Sequence, residues 1–186
     1  MNENGFGKLY WGFLFIMISF RIQGFDILPD IVGYLLFASG FSSLASRSAY
    51  FGTAAKYNIF MAILSVFSLY QFPAQNQGQV VNFGPLGILS IPLTIASFIL
   101  NLLVVYNLFM GIKEIAEKSG QTDLAQESMD RWREYKILQI AVISSFILIF
   151  IPAIAIIFVI VLLIMSIIIA VSIMSFIKKC GERLAY

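Results

Sequence analysis

Arg21, Asp26 and Asp30 have the strongest claim to chemistry in this chain, because they bracket a proline turn, Gly24-Phe25-Asp26-Ile27-Leu28-Pro29-Asp30, between two apolar stretches. A charge at the centre of a lipid-embedded helix costs roughly 2.5 to 3.5 kcal/mol on insertion scales, so a submerged one needs a partner. Two chemistries suit the cluster. In one it is a pinned turn: Arg21 pairs with a carboxylate, while Asp30 caps the helix that follows and favours its N-terminal dipole. In the other the two acids face an aqueous cavity and hold a cation or relay a proton. An acid dyad for hydrolysis is the least favoured use, since both aspartates lie in a single short turn.

Asn101 is the remaining ligand-binding candidate. It falls near the middle of an apolar stretch, with Asn107 six positions on. An amide in hydrocarbon seeks another helix, and Gln139, Ser144 and Ser145 are the expected partners. Interhelical bonding is the plain reading; lining a solute path is the sharper one. Gly33, Ser39, Gly40 and Ser43 mark one stretch for close packing, within the chain or across a dimer seam, with Ser39 and Ser43 spaced as a small-x-x-x-small pair.

Catalytic chemistry is bounded by what the sequence lacks. There is no histidine and a single cysteine, Cys180, which excludes Ser-His and Cys-His pairs, Cys/His zinc sites and an intrachain disulfide. No glycine-rich phosphate loop ending in Lys-Ser or Lys-Thr is present. We therefore expect no catalytic residue, no metal and no cofactor. Cys180 follows two lysines at a helix end, where juxtamembrane acylation is conceivable.

The elements that must position these residues follow from solvent preference. Apolar residues make up 60% of 186 positions and charged residues 12%, too little polar surface to cover a water-soluble globule of this size. The apolar excess is held in long uninterrupted runs without strand-like alternation, and in lipid such runs are helical because every backbone group needs an internal partner. Six segments emerge, at 6–22, 31–45, 57–72, 86–112, 137–151 and 153–177. The last two form one apolar run about 60 Å long as a single helix, roughly twice the hydrocarbon thickness, so it folds back. Pro152 is the expected place. The first two segments are short for full crossings; they either span or form a re-entrant hairpin turning at residues 24–30, and both routes return the chain to the same side.

Orientation comes from the basic residues. Lys8, Arg47, Lys56, Lys113, Lys118, Arg131, Arg133, Lys136, Lys178, Lys179 and Arg183 fall on one side of a six-span arrangement, and only Arg21 falls on the other. The expected fold is thus an all-α integral membrane protein, one domain over 1–186, with six transmembrane helices as three antiparallel hairpins and both termini cytoplasmic. The outward connection at 73–85 is uncharged and bounded by prolines, as in an ordered surface loop. The inward connection at 113–136 carries helix-supporting pairs, Glu114 with Lys118 and Glu127 with Arg131. Gly120 is placed as a helix stop and Thr122 or Asp123 as the next N-cap, so the fourth and fifth helices extend beyond the bilayer as an antiparallel pair. Trp132 and Tyr135 fall near a segment end, where aromatic rings prefer the headgroup zone.

The stretch Phe20-Arg21-Ile22-Gln23-Gly24-Phe25-Asp26-Ile27-Leu28-Pro29-Asp30-Ile31-Val32-Gly33-Tyr34 resembles a motif of small multipass membrane proteins of Gram-positive bacteria. The segment from Asp123-Leu124-Ala125 through Arg131-Trp132-Arg133 to Tyr135 is similar to the same family's cytoplasmic connection. The resemblance implies a bacterial cell membrane and supplies no site residues. With a net charge of only +2 and no basic run interleaved with aromatics, nucleic acid is excluded as a partner. The expected partners are the lipid bilayer and a membrane protein or a second copy of the chain. The expected function is that of a non-catalytic accessory, regulatory or protective membrane protein; the alternative is an oligomeric transporter or channel using Arg21, Asp26, Asp30 and Asn101.

Overall fold

The structure, a computed structural model, describes residues 5–17, 21–22, 25–26, 30–66, 90–148 and 152–184. Six helices carry these residues: α1 (Gly5–Met17), α2 (Asp30–Leu44), α3 (Ala49–Val66), α4 (Ser90–Lys118), α5 (Thr122–Leu148) and α6 (Pro152–Arg183). Between α1 and α2 a two-residue antiparallel ladder joins β1 (Arg21–Ile22) to β2 (Phe25–Asp26). The outward connection expected at 73–85 lies outside the described residues. The chain divides into two compact units, Met1–Leu108 and Phe109–Tyr186, with the boundary inside α4.

Sequence signals account for most helix ends. The Ser48 hydroxyl accepts a hydrogen bond from the Tyr50 amide at 3.2 Å, an N-cap that starts α3 at Ala49 rather than at 57, where the apolar run begins. Pro92 is accommodated in the first turn of α4, where its missing N–H would have had no helical acceptor. The Gln121 amide bonds the Ala116 carbonyl at 2.8 Å and the Gly120 amide bonds the Glu117 carbonyl at 3.0 Å. Together with φ +70° at Gly120, this is a Schellman stop at the expected glycine. The N-cap of α5 is Gln121, not Thr122 or Asp123: its carbonyl accepts the Ala125 amide at 3.2 Å, and both expected residues lie inside the first turn. Pro152, where a break is expected, is the first residue of α6, a place helices tolerate proline, and residues 149–151 before it lie outside the described residues. The first segment is shorter than expected, because α1 ends at Met17 and Arg21–Ile22 pairs as a strand.

In the first unit α1 and α2 pack antiparallel through glycine. A methyl group placed on Gly5 would lie 2.8 Å from the Gly40 carbonyl oxygen, and one on Gly40 would lie 2.9 Å from that of Gly5. Seven positions along both helices, Gly12 and Gly33 repeat the arrangement at 3.0 and 2.9 Å. The second helix therefore packs closely within the chain, as its glycines suggested. Its partners Gly5 and Gly12 on α1 are seven residues apart, not four. α3 runs antiparallel to α2, with Phe41 stacked on Phe51 at 6.3 Å and the Asn58 amide donating to the Tyr34 carbonyl at 2.6 Å.

In the second unit α6 changes character along its length. Ile156, Ile157, Val159, Ile160, Leu163 and Ile164 are all exposed. From Ile169 onward burial settles on one face, at Ile169, Ile173, Phe176, Ile177, Cys180 and Leu184, the repeat of a helix packed on one side. That face meets the charged end of α5 in antiparallel register, since Glu127 pairs with Lys179 and Asp123 with Arg183. Phe109 of α4 closes the cluster against Phe176 at 6.3 Å. The extension expected as a helix pair at 113–136 is thus a three-helix head, completed by the end of α6.

Among the described residues two helices are candidates to cross a membrane by length and composition, Ile91–Lys118 and Ile156–Arg183, and Ile31–Leu44 is apolar but shorter. Only 11% of the apolar α6 window is buried. A core helix of a water-soluble protein would hide such a surface, so α6 has the profile of a helix solvated by hydrocarbon.

Candidate functional site

The head at the end of α4, α5 and α6 is where the described polar groups concentrate. Lys179 Nζ lies 2.6 Å from Glu127 Oε2, and the other oxygen of Glu127 lies 3.5 Å from Arg131. Arg131 in turn donates to Glu134 at 2.8 Å, so one carboxylate on α5 links the α6 lysine to a row of charges along its own helix. One turn earlier on α5 and one turn later on α6, Arg183 pairs with Asp123. That guanidinium, hydrogen-bonded to Asp123, holds its carboxyl below the ordinary value.

Backbone groups left open at helix ends are also closed within the head. Gln121 donates its side-chain amide to the Arg183 carbonyl at 2.9 Å, capping the C-terminus of α6 from the start of α5. Ser128, fully buried, donates to the Phe109 carbonyl at 2.7 Å and ties α5 to α4. Cys180 is fully buried on the α6 face between Lys179 and Arg183, which removes it as an acylation site. Tyr135 is buried at the edge of the head and hydrogen-bonded to Gln139; burial pushes its phenol up to about 12. Trp132 stacks on Tyr135 at 6.1 Å, with Lys136 Nζ 5.4 Å from the centre of the indole.

The expected site residues are partly brought together. Arg21 and Asp26 are directly opposite each other in the β1–β2 ladder, and Asp30 is the first residue of α2. The backbone therefore sets Arg21 across from one of the two acids; the side chains of all three lie outside the described residues. Asn101 is half-buried on α4 and engaged. Asn107 bonds the Leu103 carbonyl of its own helix at 2.7 Å instead of reaching another. Ser144 and Ser145 do likewise with the Ile140 and Val142 carbonyls, at 2.9 and 2.6 Å, the usual way a hydroxyl is hidden in an apolar helix.

Asn58 does bridge two helices, and it stood out less in the sequence because it falls at the start of an apolar run, directly behind Lys56 and Tyr57. Its side chain is fully buried, and its carbonyl oxygen has no partner. Among the described residues no group of three or more histidine, cysteine, aspartate or glutamate side chains is placed to hold a metal. No family model, curated protein or solved structure matches this chain.

Proposed function

We propose that this chain is a six-span cell-membrane protein with both termini in the cytoplasm, and that it acts as a non-catalytic accessory or regulatory protein which presents its three-helix head to a membrane-protein partner. The observation that carries this reading is the change along α6, from an apolar stretch exposed over most of its surface to one buried on a face against charged α5 from Ile169 onward. A helix with that profile leaves hydrocarbon and enters a water-facing bundle at one place along its length.

Basic residues support the orientation. Lys8 near the start of α1 donates to Ser39 near the end of α2 at 3.0 Å, and Arg47 lies between α2 and α3, so these two cations share one end of the first unit, with Lys56 two turns into α3. The head holds eight more, from Lys113 to Arg183. α1 and α2, at 13 and 15 residues, reach about 20 and 22 Å, less than the usual hydrocarbon thickness. Their glycine seam lets them cross a locally thinned bilayer as one compact hairpin.

The accessory reading favours the head because Lys179 and Arg183 are used in joining α6 to α5. Photocrosslinking in cells tests it. A crosslinker at exposed Gln126 on the head gives a discrete protein adduct, and one at Ile157 gives lipid adducts alone. Lipid adducts alone at both positions would contradict a partner-binding head.

A further inference from the structure

Along the exposed face of α5, residues 133, 136, 137, 140 and 144 recur at the spacing that brings side chains onto one stripe. The stripe is cationic at one end and apolar at the other. Arg133 and Lys136 are exposed, followed directly by Ile137 and Ile140, 60% and 63% exposed. Ser144 turns its hydroxyl to the Ile140 carbonyl, so the surface beyond stays apolar.

The two cations differ from four others in the head. Lys118, Arg131 and Lys179 each have a carboxylate oxygen within 2.8 Å, and Arg183 is held by Asp123. Arg133, by contrast, is 4.0 Å from Asp130, the outer limit of an ion pair, and its side chain is 70% exposed. Lys136 lies over the Trp132 ring, which orients its ammonium without neutralising it. An indole, two exposed cations and a following isoleucine stripe present, in order, groups complementary to a lipid's interfacial region, phosphate and acyl chain.

We propose that this stripe seats an anionic phospholipid of the inner leaflet, with Arg133 and Lys136 on its phosphate-bearing headgroup and Ile137 and Ile140 along an acyl chain. The assignment rests on the membrane reading above, which sets this end of α5 at the bilayer surface. Charge complementarity selects an anionic lipid: a zwitterionic headgroup would bring its own cation to a position already held by two.

Trp11 and Trp132 are the two tryptophans, so Trp11→Phe leaves Trp132 as the sole indole and a reporter at the site. The full chain carrying this change is placed in phosphatidylcholine nanodiscs containing a small fraction of lipid with a spin label on the fifth acyl carbon. The label is carried by either phosphatidylglycerol or phosphatidylcholine. At equal mole fraction, labelled phosphatidylglycerol quenches Trp132 about threefold more effectively or better, and Arg133→Gln with Lys136→Gln abolishes the difference. Equal quenching by both lipids, or a preference that survives the double substitution, overturns the lipid site while leaving α5 in the bilayer. Absence of quenching by either label overturns the membrane placement itself and the lipid site with it.

Discussion

Gly12 on α1 and Gly33 on α2 approach so closely that a methyl group on either would lie within about 3 Å of the other's carbonyl oxygen. Backbone cannot rotate away as a side chain can, so any residue larger than glycine forces the helices apart. The pair is repeated at Gly5 and Gly40, which fixes the register of the hairpin at two points.

Gly33→Ala therefore destabilises the chain by about 1 to 3 kcal/mol, the cost of overpacking a tight contact. Gly7→Ala, at a helical position with open space around it, is stabilising by about 0.5 to 1 kcal/mol. Thermal unfolding of both variants in the same detergent checks the opposite signs.

Asn58 gives a second test, because its amide is satisfied and its carbonyl oxygen is not. Replacing it with leucine removes one hydrogen bond and one orphaned acceptor together, so stability changes by less than about 1 kcal/mol. Asn58→Asp buries a charge between α2 and α3 and costs about 3 kcal/mol or more at neutral pH. Denaturant unfolding distinguishes the two.

The α5–α6 ion pairs are partly exposed, and each is worth little alone. A double-mutant cycle on Glu127→Gln and Lys179→Gln gives a coupling of up to about 1 kcal/mol, reduced by salt. Asp123 has a lowered folded-state value, so its contribution is present above the ordinary carboxylate value and disappears as pH falls through the folded one. Acid unfolding of wild type and Arg183→Gln measures that term: the wild-type head gains stability between acid and neutral pH that the variant lacks.

At the alkaline end the sign reverses. The phenol of Tyr135, raised to about 12 by burial, keeps its proton in the folded head after an unfolded tyrosine has lost its own. Its contribution is complete below about 10 and is lost as pH rises through 12. Absorbance titration of phenolate shows a late-titrating component that Tyr135→Phe removes.

Much of this architecture is legible in sequence where the signal is local. Gly120, Pro152 and the 113–136 charge pairs mark their helix ends because each acts through its own backbone or a neighbour four residues away. Distant partners are harder. Residues 169–177 of α6 are as apolar as the residues before them, so they read as membrane, and only the buried inner face of charged α5 reveals them as the core of a head. The beginning of α3 was hidden for a related reason: residues 49–56 mix Tyr50 and Phe51 with alanine, glycine, threonine and lysine, so the apolar run begins only at 57, while the Ser48 cap starts the helix at Ala49. The glycine seam spans two helices with seven-residue spacing on each, a pattern that takes meaning only once the hairpin register is known. At the Arg21 to Asp30 turn, the sequence identified the charges and the ladder supplies the opposition of Arg21 and Asp26.

Cysteine accessibility along α6 tests the central claim most directly. In a Cys180→Ala background, single cysteines at Ile157, Ile164 and Glu182 are treated with a membrane-impermeant maleimide on intact cells and on inside-out vesicles. The predicted result is labelling of Glu182→Cys on inside-out vesicles alone, with Ile157→Cys and Ile164→Cys unlabelled in both. Labelling of Glu182→Cys from outside intact cells would reverse the orientation, and ready labelling at 157 and 164 would place α6 in water.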